Sequence, residues 1–287
     1  MRKPLKNVGA SVRARLLNLS KERNEPFELL VTQYAIERLL YRLSVSQHKD
    51  KFVLKGAMLL RHWLDDPHRP TRDLDLLGFG DSDPQLTLGL FKEIGAVQAD
   101  DGVSFETDSL EVETVRDESG YNGLRLKCYA TIDGARIRVL IDIGYGDATE
   151  PGLNDIEFPS LLDQPVAKLR AYPPETVIAE KFQAMVHLGL ANSRLKDFYD
   201  IWVLARTYAF KDDRLARGIK ATFDRRKTEI PKGRPDALTK AFADDPAKQK
   251  QWDAFLKDVA IDPGTLPDTI EALATFLMPH AEAATKL

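Results

Sequence analysis

The chain has 287 residues, 43% hydrophobic and 30% charged, an ordinary globular composition that allows one large domain or two ordinary ones. Cys128 is the single cysteine, so no disulfide forms within the chain and a reducing cytoplasm is the expected compartment. No run of about 18 apolar residues is present to span a membrane, and no apolar run follows the basic N-terminal residues as a secretory signal requires.

The net charge of −3 hides an uneven distribution. Residues 1–24 carry seven Lys/Arg (Arg2, Lys3, Lys6, Arg13, Arg15, Lys21, Arg23) against Glu22. Residues 214–234 carry eight (Arg214, Arg217, Lys220, Arg225, Arg226, Lys227, Lys232, Arg234) against Asp224 and Glu229. The rest of the chain holds 26 basic and 41 acidic residues, a net −15. Local basic faces on an acidic body suit a polyanion at defined places. The plainer reading is a pair of solvated helix faces.

In chain order, Val12, Leu16, Leu17 and Leu19 give an amphipathic helix over 8–24. Phe27, Leu30, Val31, Tyr34, Leu39, Leu40 and Leu43 give a second over 26–44. Phe52-Val-Leu reads as a buried strand, Lys55-Gly56 as a turn, and 57–64 as a helix. A loop punctuated by Pro67 and Pro70 leads to a strand at 73–77, and a helix follows at 86–94. The next stretch alternates: 103–107, 110–115, 124–132 and 135–143. Asp133-Gly134 between the last two is a strong hairpin signal. After Pro151 the composition shifts. Pro173-Pro174 leads a helix over 175–188 with Gly189 as its cap. Asn192 or Ser193 caps a helix over 194–208, and the remainder is mostly helical. The expected architecture is α+β, a mixed sheet with helices in residues 1–150, then a mainly helical domain over 151–287 that completes the active site.

The chemistry gathers on few residues. Side chains i and i+2 of a strand share a face, so Asp73 and Asp75 stand side by side, with Thr71 beside them. Carboxylates this close repel without a cation between them. Mg²⁺ (or Mn²⁺) is the natural one, because it takes hard oxygen ligands and leaves room for phosphate oxygens. Asp142, in the apolar run Arg138-Val-Leu-Ile-Asp-Ile, is costly to bury unpaired. On a neighbouring strand it supplies a third metal-binding carboxylate. Lys55 and Gly56 sit where a strand enters a helix, and exposed N–H groups there suit phosphate. Lys55, Gly56 and Thr71 are the expected nucleotide contacts. Each piece alone is common; the ordered set is the signal. His62, His68 and Arg69 read as loop surface, and His187 as a helix-end cation.

A Gly-Ala turn, then Asp73-x-Asp75, then Asp142 resembles the polymerase β-like nucleotidyltransferase superfamily. Four blocks narrow the resemblance: Phe52-Val-Leu-Lys-Gly-Ala-Met-Leu-Leu, Arg69-Pro-Thr-Arg-Asp-Leu-Asp-Leu, Glu175-Thr-Val-Ile-Ala-Glu-Lys and Ser193-Arg-Leu-Lys-Asp-Phe-Tyr-Asp. They are similar to the AbiEii/AbiGii toxins of type IV toxin–antitoxin and abortive-infection systems. The resemblance implies a polymerase β-like core and transfer of NMP from NTP to an acceptor, the tRNA 3′ end. It implies Lys181 as a contact to the triphosphate and Asp197, with Asp200 behind it, as further active-site acids. Asp142 or Asp197 is the expected aid to acceptor deprotonation. Competing readings are a core-snorkelling Lys181 and intrahelical pairs Arg194–Asp197 and Lys196–Asp200. The resemblance also implies a cognate antitoxin without a stable complex. The alternative functions are an antibiotic-type small-molecule nucleotidyltransferase and a non-catalytic nucleotide-binding module.

Overall fold

The computed structural model describes residues 7–64, 69–116, 122–210 and 213–287. Arg2, Lys3, Lys6 and His68 lie outside the described residues, as does part of the loop holding Pro67. The fold is mixed α/β. The chain divides into two compact units, Met1–Gly146 with Asp155–Ala171, and Asp147–Asn154 with Tyr172–Leu287.

The first unit opens with α1 (Val8–Arg23) and α2 (Phe27–Val45). Asn7 caps α1, its Oδ1 accepting from the Ala10 N–H at 3.0 Å, and satisfies an otherwise orphaned donor. The apolar stripe of α2 is buried at Leu30, Tyr34, Leu39 and Leu43. The same helix buries Arg38 and Arg42, which both reach Asp101, at 3.1 and 2.6 Å. Buried charge persists where it is paired and hydrogen-bonded.

The strands are β1 (Phe52–Lys55), β2 (Asp73–Gly78), β3 (Ser104–Phe105), β4 (Glu111–Arg116), β5 (Asn122–Ile132), β6 (Ala135–Tyr145), β7 (Asn154–Phe158) and β8 (Ala167–Ala171). The helices between them are α3 (Leu60–Trp63) and α4 (Pro84–Ala96). They form one sheet in the order β3-β5-β6-β2-β1-β8-β7, with β4 also paired to β5. β2 runs antiparallel to β1 and parallel to β6. β5 and β6 are the expected hairpin. Asp133 (φ 48°) and Gly134 (φ 76°) are both left-handed, as a type I′ turn requires. Leu54, Leu76, Ile143 and Leu124 form one cross-strand row and are buried. Their chain neighbours Lys55, Asp75, Asp142 and Arg125 form the adjacent row, and alternation puts that row on the opposite face.

Three expectations that bear on the first unit shift. The helix expected over 57–64 is a 3₁₀ turn, Gly56–Leu59, followed by the single turn of α3. The strand expected at 103–107 shortens to β3 and gives way to a 3₁₀ turn at Thr107–Ser109. The division expected at residue 150 meets a chain that returns: β7 and β8 belong to the first unit's sheet. Their alternation, with Ile156, Phe158, Ala167, Leu169 and Ala171 buried, lies beyond the composition shift at Pro151.

The second unit contains α5 (Pro174–Leu188), α6 (Leu195–Thr207), α7 (Arg214–Arg225), α8 (Lys240–Ala243), α9 (Pro246–Leu256) and α10 (Leu266–Ala284). Gly189, at φ 52°, ends α5 as expected. Arg194, with no side-chain cap bond, stands at the N-cap of α6 in place of Asn192 or Ser193. The Asn192 side chain instead accepts from the Arg194 N–H at 2.7 Å. Aromatic pairs build the core, with Phe182–Phe223 at 5.4 Å and Phe198–Phe242 at 5.3 Å. No helix among the described residues is long and apolar enough to cross a membrane.

Candidate active site

The first unit brings the turn and the acids together. Asp75 is the register partner of Lys55 on one side and of Asp142 on the other. Asp73 lies two residues earlier on β2, so it shares the Asp75 face, and it is exposed. Gly56 takes φ +73°, a conformation that favours glycine. A Cβ built on it would lie 2.6 Å from the Asp75 Cβ and overlap the carboxylate. The turn backbone is therefore pressed against Asp75, and a side chain there would separate them. Thr71 sits just before β2, its carbonyl accepting from Gln33 Nε2 at 3.4 Å.

Asp142 is placed differently from the expectation of a third metal ligand. Its carboxylate is forked by Arg125, with Nε at 2.7 Å from Oδ1 and Nη2 at 2.9 Å from Oδ2. Among the described residues, no group of three or more His, Cys, Asp or Glu is disposed to hold a metal ion. The fork holds the Arg125 guanidinium well above its ordinary range, chiefly through Asp142, with Asp73 adding to it. Arg125 escaped the sequence reading, yet the signal was present. Counting back from Ile132 and forward from Ala135 across the two-residue turn pairs Arg125 with Asp142.

The second unit assembles Lys181, Asp197 and Asp200. Lys181 Nζ on α5 lies 2.5 Å from Asp197 Oδ1 and 2.8 Å from Asp200 Oδ2, both on α6. The acids are 1% and 0% exposed and the lysine 12%. This is an ion-paired lysine rather than a snorkelling one. Asp197 also takes Arg194 Nε at 2.8 Å, the expected intrahelical pair. Asp200, one helical turn along from exposed Lys196, faces Lys181. Glu180 joins a second network that the sequence did not announce. Arg226 Nη2 lies 3.2 Å from Asp147 and 3.6 Å from Glu180. Burial pushes the Tyr172 phenol well up, and Glu180 and Asp147 push it further.

The basic faces are less naked than the sequence suggests. Arg214 pairs with Glu175 at 3.0 Å, Arg217 with Glu150 at 2.9 Å and with Asp213, and Lys220 with Asp224. Arg234 is forked with Glu271. On α1, Arg15 reaches Asp163 at 3.0 Å.

A family model described as the nucleotidyl transferase AbiEii toxin of type IV toxin–antitoxin systems matches residues 38–277. The chain belongs to the AbiEii family. As a member it is a nucleotidyltransferase of the toxin class, and the family carries an antitoxin counterpart with it. The match runs through the Gly56 turn, the β2 acids, Lys181 and the α6 acids. Two solved structures are also similar. One is a candidate nucleotidyltransferase from Helicobacter pylori, at 18% identity over 90% of this chain and 96% of that one, TM-score 0.49. The other is JHP933 from Helicobacter pylori, at 18% identity over 90% and 94%, TM-score 0.47. No curated protein matches the chain.

Proposed function

We propose that this AbiEii-family enzyme transfers an NMP from an NTP to a hydroxyl of RNA, the tRNA 3′ end, and needs Mg²⁺ or Mn²⁺ to do so. The observation that carries the reading is the Gly56 turn pressed against Asp75, with Asp73 exposed on the same strand face.

That donor set fits one divalent ion. Mg²⁺ is usually held by one or two carboxylates together with substrate phosphate oxygens, and Asp73 and Asp75 are two such carboxylates on one strand. When bound, the ion neutralises charge on the triphosphate and on departing pyrophosphate. The protein's part is positioning and charge. Gly56 lets the backbone come close to a phosphate, where a larger residue would strike Asp75. Lys55 and Thr71 flank that turn and strand as further nucleotide contacts. Lys181 is assigned as a triphosphate contact by family resemblance alone; within its own unit its ammonium is held by Asp197 and Asp200. In the reaction an acceptor oxygen forms a bond to the α-phosphorus. The bond to the bridging oxygen breaks, pyrophosphate leaves, and the acceptor's hydroxyl proton passes to solvent water.

RNA as acceptor is supported by the cations of α7. Arg217 and Lys220 are over a third exposed, as are their acidic partners. Exposed pairs of this kind are weak and screened by salt, so a nucleic-acid phosphate competes for them.

The test is pyrophosphate release from each NTP with total tRNA, with and without Mg²⁺. The expected result is release by wild type with metal and loss by at least about 100-fold in Asp75→Ala, the scale of losing a transition-state contact. Release that survives chelation would rule out the metal requirement. Release driven by an aminoglycoside but not by RNA would favour a small-molecule acceptor, and nucleotide binding without release would favour the binding module.

A further inference from the structure

Arg125, Asp142, Asp75 and Lys55 lie in one continuous row across β5, β6, β2 and β1. Neighbouring strands stand about 4.8 Å apart, so the Arg125–Asp142 fork sits beside the Asp73–Asp75 pair. Both hydrogen bonds from the guanidinium to described residues use Nε and Nη2. Nη1 is left over. Arg125 is 40% exposed and Asp142 30%, so the fork is open to solvent rather than sealed in the core. The other paired cations of these two strands are occupied further out, Lys127 by Glu113 and Arg136 by Glu106. Arg125 alone among them is aligned with Asp75.

We propose that Arg125 is a phosphate-contacting residue of the nucleotide site, and that Asp142 is its positioning residue rather than a metal ligand. The proposal rests on the nucleotidyl-transfer reading above. A guanidinium fork grips a carboxylate on one edge and still offers donors to a phosphate. Holding it by a fork removes most of the rotamer freedom that a phosphate contact would otherwise have to freeze. The pairing also settles a charge problem. Three carboxylates on adjoining strands repel one another, and Arg125 neutralises the one that two acids and a single divalent ion do not need.

The test uses the full chain without turnover. Binding of the four α,β-methylene ribonucleoside triphosphates is measured calorimetrically with Mn²⁺ present, and Mn²⁺ binding alone by EPR titration. The variants are Arg125→Ala, Arg125→Gln, Arg125→Lys, Asp142→Asn and Arg125→Ala/Asp142→Asn, with exposed Arg138→Ala as a control. Thermal midpoints check folding, and Arg125→Gln is read if Arg125→Ala is unfolded. Loss of Arg125 is expected to weaken analogue binding about tenfold or more, the scale of one charge-assisted contact, without rescue by Lys. Asp142→Asn weakens it less, the double variant is no worse than Arg125→Ala, and Mn²⁺ affinity stays within about twofold throughout. Arg138→Ala binds as wild type. Unchanged analogue affinity in Arg125→Ala would overturn the proposal alone. So would an Asp142→Asn variant that loses Mn²⁺, since Asp142 would then be a metal ligand. Wild type that binds no analogue would overturn both this and the transfer reading.

Discussion

At Gly56 two requirements meet: a left-handed φ and no side chain toward Asp75. Gly56→Ala incurs about 1–2 kcal/mol of backbone strain and adds a clash with a candidate metal ligand. Gly80, also left-handed at φ +94°, has nothing within 4 Å of a built Cβ, so Gly80→Ala carries the strain alone. Urea unfolding should show Gly56→Ala to be the less stable of the two, and nucleotide transfer should fall only in Gly56→Ala. Equal stability would mean that Asp75 does not press on the turn. Lys181 makes a second case. Removing it leaves Asp197 and Asp200 buried opposite an apolar side chain, and breaking a buried pair costs about 3–5 kcal/mol. Lys181→Met should therefore lose stability as well as nucleotide affinity, whereas a lysine needed for nucleotide alone would lose affinity and keep the urea midpoint. Cys128 is different in kind. Burial pushes its thiol from the ordinary 9.0 up to about 12, so the folded chain keeps it neutral over a range in which an unfolded one ionises. The stability it contributes is whole below pH 9 and declines between pH 9 and 12. A thiol reagent at pH 8 should label the protein only after denaturation. Prompt labelling of the native chain would contradict the burial.

Among the elements, the β5–β6 hairpin sets the site. Its Asp-Gly turn fixes which residues oppose each other, and a one-residue slip moves every side chain to the other face. Gly134→Ala has open space around it and should cost about 1–2 kcal/mol from its φ with the register, and activity, retained. One residue inserted after Asp133 should instead part Arg125 from Asp142 and abolish transfer; full activity in the insertion variant would show that the register does not matter. The hairpin was legible because its signal is local, a two-residue turn flanked by alternation. β1, β2 and α5 were legible for similar reasons. β7 and β8 were not, because five-residue strands carry little local signal and β1, the partner that brings β8 into the sheet with β7 at its edge, lies more than a hundred residues earlier in the chain. The helix expected over 57–64 is only partly formed, because Ala57–Leu64 has helical composition while the tight approach of the Gly56 turn to Asp75 goes with a 3₁₀ start.

Over the whole molecule, the sequence placed the acids and the turn in order but could not say which acid meets which cation. Asp142 as a metal ligand and Asp142 as an arginine partner look alike until Arg125 is set opposite it. Lys181 likewise drew on family resemblance for its role and on three-dimensional packing for its two acids. The bare charge count also overstated the basic faces, since Arg217 and Lys220 are matched by acids near them. RNA binding through α7 should accordingly be shallow in salt dependence, with few phosphates neutralised. Arg217→Glu with Lys220→Glu should weaken tRNA binding and flatten its salt slope while leaving NTP affinity unchanged. Loss of both affinities together would point to misfolding rather than an RNA face. The most direct measurement is incubation of wild type and Asp75→Ala with each α-³²P-labelled NTP, Mg²⁺ and total tRNA. Label on the tRNA with wild type and none with Asp75→Ala is the expected result. Label carried equally by both, or by neither, would contradict a transferase built on Asp75.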